Sequence, residues 1–173
     1  MGREVRHVPE NWQHPKNDKG DYIPLLGDNY QSRLDDWNEA SEKWQQGLRE
    51  NWGKGEQWIP IPVEKEYQSM SYDEWDGPKP ELSEYMPQWS DSEKTHIVMY
   101  ETTSEGTPIS PAFKTPEELA RWLVDNNASS FADRRATYEQ WLNTIKDGWA
   151  ISGVRCNGKL MSGVEATTEC KNG

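Results

Sequence analysis

The stretch Thr95-His96-Ile97-Val98-Met99-Tyr100-Glu101-Thr102-Thr103, followed at a short distance by Thr115-Pro116-Glu117-Glu118, decides the fold class. The first run is rich in β-branched and aromatic residues and predicts a strand. The second places Thr at the N-cap, Pro at the first helical position and Glu two residues on, which predicts a helix start. Leu119, Trp122 and Leu123 supply its buried stripe. The same capping chemistry returns at Thr137-Tyr138-Glu139-Gln140, ahead of Trp141, Leu142 and Ile145, with Gly148 as the stop. Asn157-Gly158 then separates Ser152–Cys156 from Lys159–Val164, the signature of a two-residue hairpin. Strand, helix, helix and hairpin make an α+β unit over residues 94–173.

Towards the N-terminus the pattern changes. Residues 4–26 combine a short strand at Val5 to Val8 with turns at Pro9, Pro15, Gly20 and Pro24, anchored by Trp12 and Tyr22. Residues 29–52 read as one long amphipathic helix, because Tyr30, Leu34, Trp37, Ser41, Trp44, Leu48 and Trp52 recur every three or four positions. Gly53 is its expected stop. Residues 53–91 are rich in loops, with a single capped turn at Ser71-Tyr72-Asp73-Glu74-Trp75 ending near Gly77. The expected organisation is thus a loop-rich part at 1–93 and the α+β unit at 94–173, joined in one compact domain.

Composition limits what such a chain does. Of 173 residues only 33% are hydrophobic, yet ten are Trp and seven are Tyr. Large aromatic side chains replace aliphatic ones in building a core. Trp37, Trp44, Trp122 and Trp141 lie on apolar stripes and are assigned to that core. Trp12, Trp58, Trp75 and Trp89 sit in irregular polar surroundings, where one or two are expected to face a partner. The net charge is −11, and no Lys/Arg cluster offers a phosphate-binding surface, which argues against direct nucleic-acid binding. Between Glu64 and Glu93 nine carboxylates face only Lys65 and Lys79, so this stretch holds −7 of the total. Tyr67, Tyr72, Trp75, Tyr85 and Trp89 are interleaved with it.

Chemical signatures are few. Cys156 and Cys170 alone make neither a disulfide scaffold nor a zinc site. His7 and His14 flank Trp12 at a spacing that matches no common ligand set, so no metal is expected. Glycine-rich phosphate loops are missing, and no cofactor is expected. The start Met1-Gly2-Arg3-Glu4-Val5-Arg6 lacks the apolar stretch of a secretory signal, and no apolar run is long enough for a membrane span. These features point to the cytosol. The best catalytic candidates are Glu101 and Glu105 as an acid–base pair with Ser104 as nucleophile. A polar turn after a strand is the plainer reading of the same residues.

Two segments carry a family likeness. Arg3-Glu4-Val5-Arg6-His7-Val8-Pro9-Glu10-Asn11-Trp12-Gln13-His14-Pro15 and Tyr100-Glu101-Thr102-Thr103-Ser104-Glu105-Gly106-Thr107-Pro108-Ile109-Ser110-Pro111 resemble parts of small uncharacterised proteins encoded by tailed phages and prophages. The likeness continues through Thr115 to Leu123 into the final hairpin. It implies an accessory protein in a host cytoplasm and transfers no catalytic residue. The resulting expectation is a binder that inhibits a host protein complex with a basic surface, such as a nucleic-acid-targeting defence system of the CRISPR or restriction kind. Asp73, Glu74, Trp75, Asp76, Glu84, Tyr85 and Trp89 are its expected contact residues. The alternatives are a small hydrolase or transferase using Glu101, Ser104 and Glu105, and a virion assembly component.

Overall fold

The computed structural model of the chain describes residues 2–53, 55–62, 65–102, 106–156 and 158–169. Its elements run β1 (Arg3–Val8), α1 (Tyr30–Gln45), β2 (Leu48–Glu50), β3 (Trp58–Pro60), α2 (Lys65–Gln68), α3 (Tyr72–Asp76), β4 (His96–Glu101) and β5 (Thr107–Pro108). They continue through α4 (Pro116–Asp125), α5 (Tyr138–Asp147), β6 (Trp149–Ala150), β7 (Gly153–Cys156), β8 (Lys159–Ser162) and α6 (Gly163–Glu169). Helices and strands are both present, as an α+β chain requires. Among the described residues no helix is long and apolar enough to cross a membrane.

The chain divides into two units, Met1–Gly27 with Met86–Gly173, and Asp28–Tyr85. The reason is a long-range pairing. β1 lies antiparallel to β4, with Arg3 opposite Glu101 and Val8 opposite His96. The first 27 residues therefore belong with the C-terminal part, whereas the sequence reading places one boundary at 93/94. The backbone N–H of Met86 donates to the carbonyls of Leu26 (3.0 Å) and Gly27 (3.3 Å), so the chain leaves and re-enters the sheet unit at one place.

In the sheet unit the strand order is β5-β4-β1-β6. Residues directly opposite in an antiparallel pair share a face, so Val5, Ile97 and Met99 point one way. There they meet Leu119, Ala120 and Leu123 of α4, Trp141 and Ile145 of α5, and Val164 of α6. The other face carries Val8, Val98 and Tyr100, covered by Leu25, Met86, Trp12 and Trp89 from irregular segments. Both α4 and α5 start at the expected capping boxes: the Glu118 N–H donates to Thr115 Oγ1 (3.2 Å) and the Gln140 N–H to Thr137 Oγ1 (3.3 Å). The hairpin β7–β8 forms with Cys156 opposite Lys159. Its expected second strand ends at Ser162, because Ser162 caps α6: its Oγ accepts from the Glu165 N–H (3.1 Å) while Glu165 accepts from the Ser162 N–H (2.7 Å). Cys170 and Asn157 lie outside the described residues.

In the helical unit the expected helix at 29–52 is shorter, ending at Gln45. Gly47 adopts φ +78°, a conformation that favours glycine and terminates helices. Leu48 to Glu50 then pair with β3 instead. Trp52, the last residue of the expected apolar stripe, is left 78% exposed. The single turn α3 forms as expected, capped by Ser71 and Glu74 and closed by Gly77.

Candidate functional site

The residues that gather in the helical unit begin on one stripe of α1. Trp37, Ser41 and Trp44 stand four and three residues apart, so their side chains share a face. The two indoles then act as pins. Trp44 Nε1–H donates to the Met70 carbonyl (2.8 Å) and Trp37 Nε1–H to the Gly77 carbonyl (3.2 Å). Met70 precedes α3 and Gly77 follows it, so these bonds hold both ends of α3 beside α1. Aromatic contacts fill the space between. Trp75 stacks on Trp44 at 5.1 Å, Tyr67 meets Trp75 edge-on at 5.5 Å, and Tyr72 meets Trp37 edge-on at 5.3 Å. What remains open is a pocket of about 620 Å³ lined by Trp37, Ser41, Trp44, Tyr67, Tyr72 and Asp73 among others.

The electrostatics are one-sided. The unit holds fourteen Asp and Glu against six Lys and Arg, a net of −8 of the chain's −11. All its carboxylate residues that are described are exposed. Tyr72 is pushed above the ordinary phenol range, first by burial and then by Asp76, whose carboxylate accepts its hydroxyl proton. Glu74 is held below the usual carboxylate range because it accepts from the backbone N–H and the hydroxyl of Ser71 (2.8 and 2.7 Å).

The structure sorts the expected contact residues. Asp73 lines the pocket, and its carboxylate makes no hydrogen bond or ion pair among the described residues. Asp76 is exposed beside it in α3. Glu74 is committed to capping α3, and Glu84 accepts from the Glu81 N–H (3.3 Å) in a short 3₁₀ turn. Trp75 is half-buried inside the aromatic cluster, stacked on Trp44. Tyr85 is only 6% exposed, packed edge-on against Tyr30 at 5.3 Å, so it is no anchor for a partner. Trp89 belongs to the sheet unit, edge-on to Trp12 at 4.8 Å. None of Trp12, Trp58, Trp75 and Trp89 is exposed; the indoles that are exposed are Trp52 and Trp149. Trp37, Trp44, Tyr67 and Tyr72 were not among the expected contacts, although the spacing of Trp37 and Trp44 on α1 carried the signal.

Comparison with known proteins yields no match: no family model, no curated protein and no solved structure is similar to the chain. The site has to speak through its own chemistry.

The expected catalytic residues gain no such setting. Glu101 accepts from Arg3, whose guanidinium is fully buried, at 3.5 Å. Arg3 also donates to the Ser129 carbonyl (3.0 and 2.8 Å) and the Gly2 carbonyl (3.0 Å). Glu101 is thus the counter-charge of a structural arginine. Ser104 and Glu105 lie outside the described residues. Among the described residues no group of His, Cys, Asp and Glu is arranged to hold a metal. His7 is exposed, whereas His14 is buried and has both ring nitrogens engaged. A second open groove, about 870 Å³, runs past Trp12, His14, Tyr22, Tyr100 and Ser110 in the sheet unit. Three of its polar groups are engaged: Trp12 Nε1–H donates to Tyr100, and Ser110 Oγ accepts from the Met99 N–H and donates to Pro111.

Proposed function

We propose that this chain is a binding protein that presents the acidic face of its helical unit to a basic host complex and blocks it. The resemblance to tailed-phage accessory proteins gives the setting, a host cytoplasm. A nucleic-acid-targeting defence complex of the CRISPR or restriction kind is the proposed partner, because its function depends on a Lys/Arg groove that carboxylates can occupy. The observation that carries the proposal is that the helical unit, which holds the open aromatic pocket, has a net charge of −8, with all its described carboxylates exposed. Coulomb attraction between such surfaces speeds association and rejects acidic competitors, and the aromatic residues add short-range contact. The enzymatic alternative draws no support from Glu101, which is engaged by Arg3.

The test is a plating assay. The chain is expressed in bacteria whose CRISPR or restriction system excludes a phage, and plaques are counted. The expected result is restored plating, lost when Asp35, Asp36, Asp73 and Asp76 are together changed to Lys. Failure to restore plating against every system tried removes the proposed partner class. Restoration that survives the four charge reversals removes the acidic face as the working surface.

A further inference from the structure

We infer that the pocket of the helical unit receives an arginine side chain of the partner, an inference that rests on the reading above that the partner is basic. The walls present the rings of Trp37, Trp44, Tyr67 and Tyr72, and aromatic faces attract cations through their quadrupole. The fixed donors in those walls are already spent. Both indole N–H groups bind backbone carbonyls, at 2.8 and 3.2 Å, and the Tyr72 hydroxyl gives its proton to Asp76. An anionic ligand would find no fixed cation there, only mobile amide and hydroxyl donors. The lining also includes Asp73, whose carboxylate makes no hydrogen bond or ion pair among the described residues, together with Ser41, Gln45 and Gln68. No Lys or Arg lines the pocket among the described residues.

The unit already shows the contact in miniature. Lys79 Nζ lies 5.7 Å from the Trp37 ring centre, and Lys43 Nζ lies 5.8 Å from that of Trp58. Each is a cation of the chain drawn to an indole of the same unit. Arginine fits the pocket better than lysine for a geometric reason. A planar guanidinium stacks on a ring while its N–H groups reach a carboxylate and neighbouring carbonyls, whereas a tetrahedral ammonium cannot stack.

Calorimetric titration of the full chain at low salt tests this, with two neutral-capped Gly/Ser peptides carrying three arginines or three lysines. The arginine peptide is expected to bind about fivefold tighter than the lysine peptide. Asp73→Asn should weaken it by a similar factor, about fivefold. Glu39→Gln removes the same charge from α1 without touching the pocket and should change affinity less than about twofold. Asp73 is exposed and unpaired, so its variant keeps the fold. A readout that needs no variant of the site comes from indole ¹⁵N–¹H spectra, in which the arginine peptide should move the Trp37 and Trp44 signals. Equal affinity for both peptides, with Asp73→Asn and Glu39→Gln equivalent, overturns the pocket but leaves a diffuse attraction to a basic partner standing. Arginine-selective binding that leaves those two indoles unmoved also overturns it. No binding of either peptide overturns the pocket and the basic-partner reading together.

Discussion

Tyr100 donates its hydroxyl proton to Nδ1 of His14 across 3.0 Å. The direction follows from the other side of the ring, where Nε2 lies 2.6 Å from the Ile23 carbonyl and must carry the hydrogen. A neutral imidazole has one donor and one acceptor, so Nδ1 accepts. Trp12 completes the chain by donating to the Tyr100 oxygen at 3.1 Å.

This arrangement requires a neutral His14 and makes stability depend on pH. Burial pushes its pKa below the ordinary 6.5, the bond to Ile23 opposes the shift, and the positive charge of Arg6 adds to it. The unfolded chain therefore takes up a proton more readily than the folded one. The His14 contribution is complete above about pH 6.5 and is lost as pH falls below that value towards the lowered folded pKa. Urea denaturation between pH 5 and 8 should show this decline, and His14→Gln should flatten it.

Glu101 is open to a direct test of its role. If it is the counter-charge of Arg3, Glu101→Gln leaves a buried guanidinium with hydrogen bonds but no opposite charge. The expected cost is about 2 kcal/mol of unfolding free energy, read from the midpoint of a denaturant curve. A catalytic role alone would leave that midpoint in place.

Ser162 joins two elements. Its Oγ accepts from the Glu165 N–H at the start of α6 and donates to Ser130 Oγ at 3.2 Å, and the side chain is fully buried. Ser162→Ala should cost about 1–3 kcal/mol. Hydrogen exchange should place the loss first in the amides of α6. Uniform loss across α4 and α5 would argue against the capping role.

Two glycines with positive φ separate strain from overlap. Gly20 (φ +88°) has open space where a Cβ would stand, whereas at Gly106 (φ +55°) a Cβ would run into the Leu25 carbonyl. The Leu25 N–H donates to the Gly106 carbonyl at 3.1 Å, which explains the close approach. Gly20→Ala is expected to cost about 1 kcal/mol, and Gly106→Ala at least about 2 kcal/mol. Equal melting temperatures for the two variants would contradict the clash.

Local chemistry was legible in the sequence, and long-range chemistry was not. The boxes at Thr115, Thr137 and Ser71 each bind within three residues of chain, so residue types alone announce them. The box at Ser162 and Glu165 has the same spacing, but it hid behind the apolar residues expected to extend the hairpin strand. The early end of α1 rested on Gly47, one residue whose backbone angle outweighed a continuing apolar stripe. The pairing of β1 with β4 spans about ninety residues, and no local pattern specifies it. The candidate site divided in the same way. Composition singled out the acidic, aromatic stretch. Which of its aromatic residues reach the pocket depends on α1: Tyr67 and Tyr72 line it beside Trp37 and Trp44, whereas Trp75 stacks on Trp44 and Tyr85 is buried.

The meeting of Met86 with Leu26 and Gly27 has a further consequence. Because the chain exits and returns at a single point, residues 28–85 are threaded into the sheet unit as a cassette. The β1–β4 pairing and the core residues on both faces of the sheet all lie outside the cassette. A chain built this way can change what it presents to a partner without re-solving the problem of how to fold.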